Sequence, residues 1–296
     1  MKWFLLAVST AISLAGCADL SAVADFAKMA PDVAKLDTLT DVYVAAPAIQ
    51  SEWAAIWTKP DPALADQFKK RQDQKVAIDA LHALIVNYMK ALGGLAGPGA
   101  TDISAQAKLV GTNLAALQKA DPSLLPTAQV APISDLVSVI PQGILDLYRQ
   151  SEVSSIIVKN QVSFHRMIDA ETEIVQGSFE RDISQACKAI LAATHQTLGE
   201  FNSSCGPDGT IAIVVISGSP TKRATTFGFG RSANADIAKL NAAARGAQQY
   251  VTALQKLREA YDVLVQDAGH IDATTVTRII PLLTDVEKAY SDIGSL

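Results

Sequence analysis

The chain has 296 residues, 49% of them hydrophobic and 19% charged, with a formal net charge of −5 at pH 7. That length and composition provide for one large domain or two modest ones around a substantial core, and exclude a disordered chain. Aromatics make up only 6% and alanine fills much of the apolar share, which favours close-packed helices over a β-sandwich. A mildly acidic chain without a basic block has no electrostatic reason to bind nucleic acid.

Met1-Lys2 gives a short positive start, Trp3 to Ser13 an almost unbroken apolar run, and Leu14-Ala15-Gly16-Cys17 follows. The run is too short to span a bilayer as a mature helix and has the length of a signal-peptide core, so residues 1–16 read as a leader. Leu14 to Cys17 resembles the lipobox of bacterial lipoproteins, a resemblance confined to residues 1–17. It implies that Cys17 is diacylated, exposed by cleavage and often N-acylated. It also implies that Ala18, next in the chain, sorts the protein to the outer membrane, with its body in the periplasm or at the cell surface. Two or more acyl chains, at roughly 0.8 kcal/mol per buried methylene, hold a protein stably. No later segment reaches eighteen consecutive apolar residues, so the implied lipid is the one evident anchor. The other reading is an ordinary signal peptide with an incidental cysteine.

Residues 17–150 read as an N-terminal helical region, cut into short pieces by prolines, which break helix interiors. Helices are expected at about 19–43, 47–58, 62–93, 102–120 and 132–150. Asp61-Pro62 and Thr101-Asp102 look like helix starts, and Gly93-Gly94 and Gly97-Pro98-Gly99 like stops. Leu81, Leu84, Ile85, Tyr88 and Leu92 make one apolar face. Trp53 and Trp57, one helical turn apart, are expected to fill one core region.

Residues 151–296 read as a long-helix bundle. Phe164, Ile168, Val175, Phe179, Ile183, Ala186 and Ile190 step by three, four or seven along a helix over 152–198. Ile237, Leu240, Ala244, Ala247, Val251, Leu254, Tyr261 and Val265 form a second, coiled-coil-like stripe. Helices of roughly 70 and 50 Å should lie antiparallel. A last helix, with Pro281 inside it, covers 273–293. The fold class is all-α, an elongated antiparallel bundle.

Between the long helices, residues 205–231 break the pattern. Gly199 suits a helix stop, with Phe201 as its apolar contact. Ile211 to Ile216 is β-branched and continuous, Ser217-Gly218-Ser219-Pro220 reads as a turn, and Ala224 to Phe229 as a return strand. This predicts a β-hairpin near 210–230. Cys187 and Cys205, the other two cysteines, are a candidate disulfide in an exported chain. Bonded Cα atoms lie about 4.4–6.8 Å apart, so the pairing requires the helix to stop near Leu198. Two unpaired thiols is the alternative.

Catalytic signatures are absent from the sequence: no H-E-x-x-H, G-x-S-x-G, P-loop or C-x-x-C occurs, and neither a metal site nor a cofactor is expected. Gly228-Phe229-Gly230-Arg231-Ser232-Ala233 matches a dinucleotide-binding turn in spacing. It lacks the acidic residue about twenty positions on, and a hinge capped by Ser232 or Asn234 is the plainer reading. His165, Asp169 and Glu173 share a helical face and read as a solvated stripe. Ile213, Val215, Phe227 and Phe229, with Lys222-Arg223 at the turn, form a candidate contact with a membrane or a protein partner. In outline a long helix pair capped by an apolar β-tongue, over roughly 150–270, is similar to helical pore-forming toxins of the cytolysin A type. The leading expectation is a non-enzymatic envelope lipoprotein, held to the membrane through its lipid and serving an envelope protein partner as scaffold or binder. A membrane-active protein working through residues 210–230 is the second, and an enzyme with a site assembled from distant residues the third.

Overall fold

The computed structural model describes residues 20–30, 36–59, 61–96, 104–120, 146–199, 201–211 and 220–293. They form an all-helical bundle: α1 (Ser21–Lys28), α2 (Leu36–Ala54), α3 (Pro62–Ala96), α4 (Ser104–Ala120), α5 (Asp146–Ile174), α6 (Glu180–Leu198), α7 (Pro220–Gln266) and α8 (Ala273–Ile293). A π-helical turn, Val175–Phe179, joins α5 to α6 without a break. It takes up one residue more per turn than an α-helix, and so keeps Val175 and Phe179 both wholly buried.

Side-chain contacts fix the helix directions. Arg71, His82 and Tyr88 along α3 meet Asp182, Glu171 and Phe164. Rising numbers on one helix face falling numbers on the other, so α3 runs antiparallel to α5–α6. The same α3 face meets Tyr250 and Tyr261 in rising order and therefore runs parallel to α7. Chain reversal between α7 and α8 is held by Asp272. Its Oδ1 accepts the backbone N–H of Thr274 at 2.7 Å and of Thr275 at 3.3 Å, and Thr275 Oγ1 accepts the Asp272 N–H at 3.3 Å. That reciprocal pair is a capping box. The two N–H groups hold the Asp272 carboxyl below its ordinary value. Asp61 caps α3 likewise, accepting the Ala63 N–H at 2.9 Å.

Both long stripes expected from the sequence are the core. Phe164, Ile168, Phe179, Ile183, Ala186 and Ile190 are buried, as are Ile237, Leu240, Ala247, Leu254 and Tyr261. By length and composition α3 is long and apolar enough to cross a membrane, but its apolar window is mostly buried. Here it is a core helix.

Several boundaries differ from expectation. The helix expected over 19–43 is broken: α1 ends at Lys28, and α2 runs through buried Pro47 to Ala54. Gly93-Gly94 does not stop α3, which continues to Ala96. A Cβ on Gly93 would lie 2.5 Å from Ala27 Cβ, so the glycine serves close packing of α1 on α3. Most of the helix expected over 132–150 lies outside the described residues. Trp53 and Trp57 do not share a core region. Trp53 is buried against Phe229, whereas Trp57 lies beyond the end of α2, half exposed, its indole N–H donating to the Ala193 carbonyl at 3.2 Å.

The β-hairpin is the main correction. Its expected return strand, Ala224 to Phe229, is helical and belongs to the 47-residue α7. Phe229 begins the series Ala233, Ile237, Leu240, which steps by helical intervals onto one face, and it packs edge-on against Trp53 with centroids 5.3 Å apart. That tertiary contact overrides the weak β preference of Thr225-Thr226-Phe227. The segment 212–219, including Ile213 and Val215, lies outside the described residues.

Candidate functional site: a cleft beside the Cys187–Cys205 bond

Gly199 ends α6 with φ of +80°, a left-handed conformation that glycine adopts without a Cβ penalty. Phe201 then turns inward and is buried. The chain doubles back along α6, bringing Cys205 to Cys187 with Cα atoms 5.9 Å apart and the sulfurs bonded. The helix stop that the pairing required is in place.

Beyond the disulfide, Asn241 of α7 holds the loop. Its Nδ2 donates to the Ser204 carbonyl at 2.9 Å, and its Oδ1 accepts the Gly206 N–H at 3.0 Å. Arg245 donates to the Pro207 carbonyl at 3.1 Å. A Cβ on Gly209 would collide with the Asn241 side chain and the Ser204 carbonyl. A glycine there is the condition for the loop to lie flat on α7.

Between this loop, the π-turn, α6 and α7 lies a cleft of about 360 Å³. Its floor is Ile183, Leu240 and Ala244, and its polar rim is Gln176, Glu180, Arg181, Ser184 and Gln248. Burial pushes the Glu180 carboxyl above its ordinary value. π-Turns recur at functional sites because they re-aim neighbouring side chains, and Gln176 lies on this one. The rim offers amide donors and acceptors and one charge of each sign. Ser184 has no histidine beside it among the lining residues, and the Cys187 sulfur is committed to the disulfide. The cleft offers hydrogen-bond donors and acceptors above an apolar floor.

Two further polar clusters lie in the bundle. Asp182 accepts from Arg71 Nε at 2.7 Å, and Arg71 Nη1 donates to Gln74 Oε1 at 2.7 Å, which also accepts the Tyr43 hydroxyl at 3.0 Å. The Arg71 guanidinium stands 4.9 Å over the Tyr43 ring. Burial, opposed by Arg71, pushes the Tyr43 phenol up to about 12. Deeper in the bundle, His82 Nδ1 lies 2.8 Å from Glu171 Oε1 and 3.2 Å from the Tyr250 hydroxyl.

Of the residues singled out in the sequence, Cys187 and Cys205 come together, while Cys17, Ile213 and Val215 lie outside the described residues. Lys222 and Arg223 are in the first turns of α7. Phe227 is half exposed beneath the Arg231 guanidinium, 5.7 Å from the ring centroid. Gly228 and Gly230 are interior to α7, so the dinucleotide-type turn and the hinge are both excluded there. His165, Asp169 and Glu173 face separate partners: Asp262 at 2.7 Å, Arg258, and Arg166 at 3.7 Å. The first two tie α5 to α7, and the stripe is partly solvated, with the Glu173 side chain 72% exposed. No group of three or more His, Cys, Asp or Glu able to hold a metal comes together among the described residues. Sequence reasoning missed Glu180, Asn241 and the His82–Glu171 pair. Asn241 and His82 did leave a trace, each being a polar residue set within an apolar helical face.

No family model matches the chain, and no curated protein or solved structure matches it.

Proposed function

We propose that this chain is an exported envelope lipoprotein, acylated at Cys17, whose helical bundle is a non-enzymatic binding or scaffolding body. The observation that carries this reading is the Cys187–Cys205 bond. Disulfides persist in oxidising compartments and are rare in the bacterial cytosol, and a lipobox-like leader is the route by which a chain of this kind leaves it. The cleft beside the bond, with amide and charged groups over an apolar floor, supports a binding role. Its volume and apolar floor suit a small polar ligand or a side chain from a protein partner.

The test is intact-mass analysis of the protein isolated from its native envelope, with metabolic labelling by an alkyne fatty acid. The reading requires a chain that begins at Cys17, carries acyl mass and loses the label in Cys17→Ser. A chain that still begins at Met1 without lipid removes it.

A further inference from the structure

Under this reading the lipid is attached in one half of the rod. Cys17 precedes Leu20 by three residues, which reach at most about 11 Å in any conformation. Leu20 is itself buried against the bundle, and Ala27 lies seven helical residues further on, about 10 Å away. Ala27 sits on Gly93, and Phe26 packs on Tyr261 and Phe164 with centroids 5.7 and 5.9 Å apart. The two reaches total about 21 Å against an α7 of about 70 Å, so the anchor belongs to the half of the bundle where α7 finishes. Lys28 and Lys90 are exposed at that end, Lys28 beside Asp25, and ammonium groups complement lipid phosphates.

At the opposite end are the exposed aromatics. Phe227 precedes Tyr261 by thirty-four residues of continuous α7, about 50 Å along the helix axis. Trp53 joins that end through Phe229 and by donating its indole N–H to Asp236 at 3.0 Å. Ile56 and Trp57 follow it, half exposed. The flanks do not invite the rod to lie down. Exposed Val76, Leu109, Val158, Val162 and Ile280 are spread over α3, α4, α5 and α8, with only Val158 and Val162 one turn apart on the same helix.

We propose that the acylated chain turns its Tyr261 end, built from α1 and the α7–α8 turn, to a phospholipid surface, and carries Ile56, Trp57 and Phe227 about 50 Å out from it. The proposal rests on lipidation of Cys17. It gives the exposed aromatic end a definite exclusion: that end does not touch the bilayer that holds the protein.

The mature chain supplies its own reporter, because Trp53 and Trp57 are the only tryptophans after residue 16. Purified lipidated protein is reconstituted into phosphatidylcholine vesicles with and without a headgroup nitroxide, and flotation is checked first. Tryptophan emission should be the same in both vesicles, while a bimane label on the exposed turn variant His270→Cys should lose most of its emission to the nitroxide. Tryptophan quenching in floating protein, or an unquenched label at position 270, overturns the orientation and leaves the lipid reading intact. Failure of the wild type to float, or flotation of Cys17→Ser to the same extent, instead removes the lipid reading and the orientation with it.

Discussion

His82 of α3 and Glu171 of α5 meet inside the bundle at 2.8 Å, with side chains 7% and 1% exposed. Eighty-nine residues apart in sequence, they help fix the register of two antiparallel helices, together with the Arg71–Asp182 pair farther along. Removing one partner of a buried hydrogen bond costs more than the bond itself contributes. Glu171→Ala leaves His82 only the Tyr250 hydroxyl at 3.2 Å and should destabilise the protein by about 1–3 kcal/mol in urea unfolding. The double variant His82→Leu/Glu171→Leu should recover most of the loss. A single variant within about 0.5 kcal/mol of wild type would show that the pair does not bear on folding.

The Cys187–Cys205 bond closes a loop of eighteen residues, and cross-links of that size stabilise by about 3 kcal/mol through the unfolded chain. Reduction, or Cys187→Ala/Cys205→Ala, should lower the unfolding free energy by about that amount. Amide exchange should rise selectively over 201–211, where Asn241 and Arg245 would be left to hold the loop. Uniform loss of protection would instead make the bond part of the global core.

Burial raises the phenols of Tyr88, Tyr250 and Tyr261, and raises Tyr43 to about 12, from an ordinary value of 10.0. Unfolded phenols ionise first. The stability that comes from keeping these groups neutral is complete below pH 10 and is lost as pH rises through the folded-state values. Alkaline unfolding should be cooperative, with tyrosinate absorbance rising together with loss of helical circular dichroism. Tyr43→Phe should flatten the fall in stability between pH 10 and 12, removing at most one proton from the difference between folded and unfolded states. If the tyrosines titrate before the helices melt, they are more open to water than their packing indicates.

The helical stripes were legible in the sequence because each kept one period over many turns: Phe164 to Ile190 on one helix and Ile237 to Tyr261 on the other. Residues 220–229 were not. Ser219-Pro220 is as good a helix start as it is a turn, since proline is tolerated in the first helical turn. What decides between them is Trp53, some 170 residues earlier, against which Phe229 packs. The disulfide was legible as a conditional statement, turning on whether Gly199 stopped α6. The cleft was not. Gln176, Glu180 and Gln248 are ordinary surface residues in sequence, and only the π-turn and the returning loop gather them around one space.

Gly93 shows the same dependence on context and yields the sharpest packing test. In the sequence it reads as a helix stop, and in the structure it is a helix-interior residue whose missing Cβ admits Ala27 of α1. Two effects compete in Gly93→Ala. Helix propensity favours alanine by about 1 kcal/mol, while forcing a methyl group to 2.5 Å from Ala27 Cβ costs about 1–3 kcal/mol of overpacking. Both helices are closely packed there, α1 through Phe26 onto Tyr261 and Phe164, so neither backbone yields freely. The net expectation is a loss of about 1 kcal/mol by urea unfolding. Ala27→Gly alone should also destabilise, through lost propensity and a small void. The double variant Ala27→Gly/Gly93→Ala restores the space and should be more stable than the sum of the two singles by at least about 0.5 kcal/mol. Additive singles, or a Gly93→Ala variant that gains the full propensity term, would mean that α1 does not press on α3 at this point.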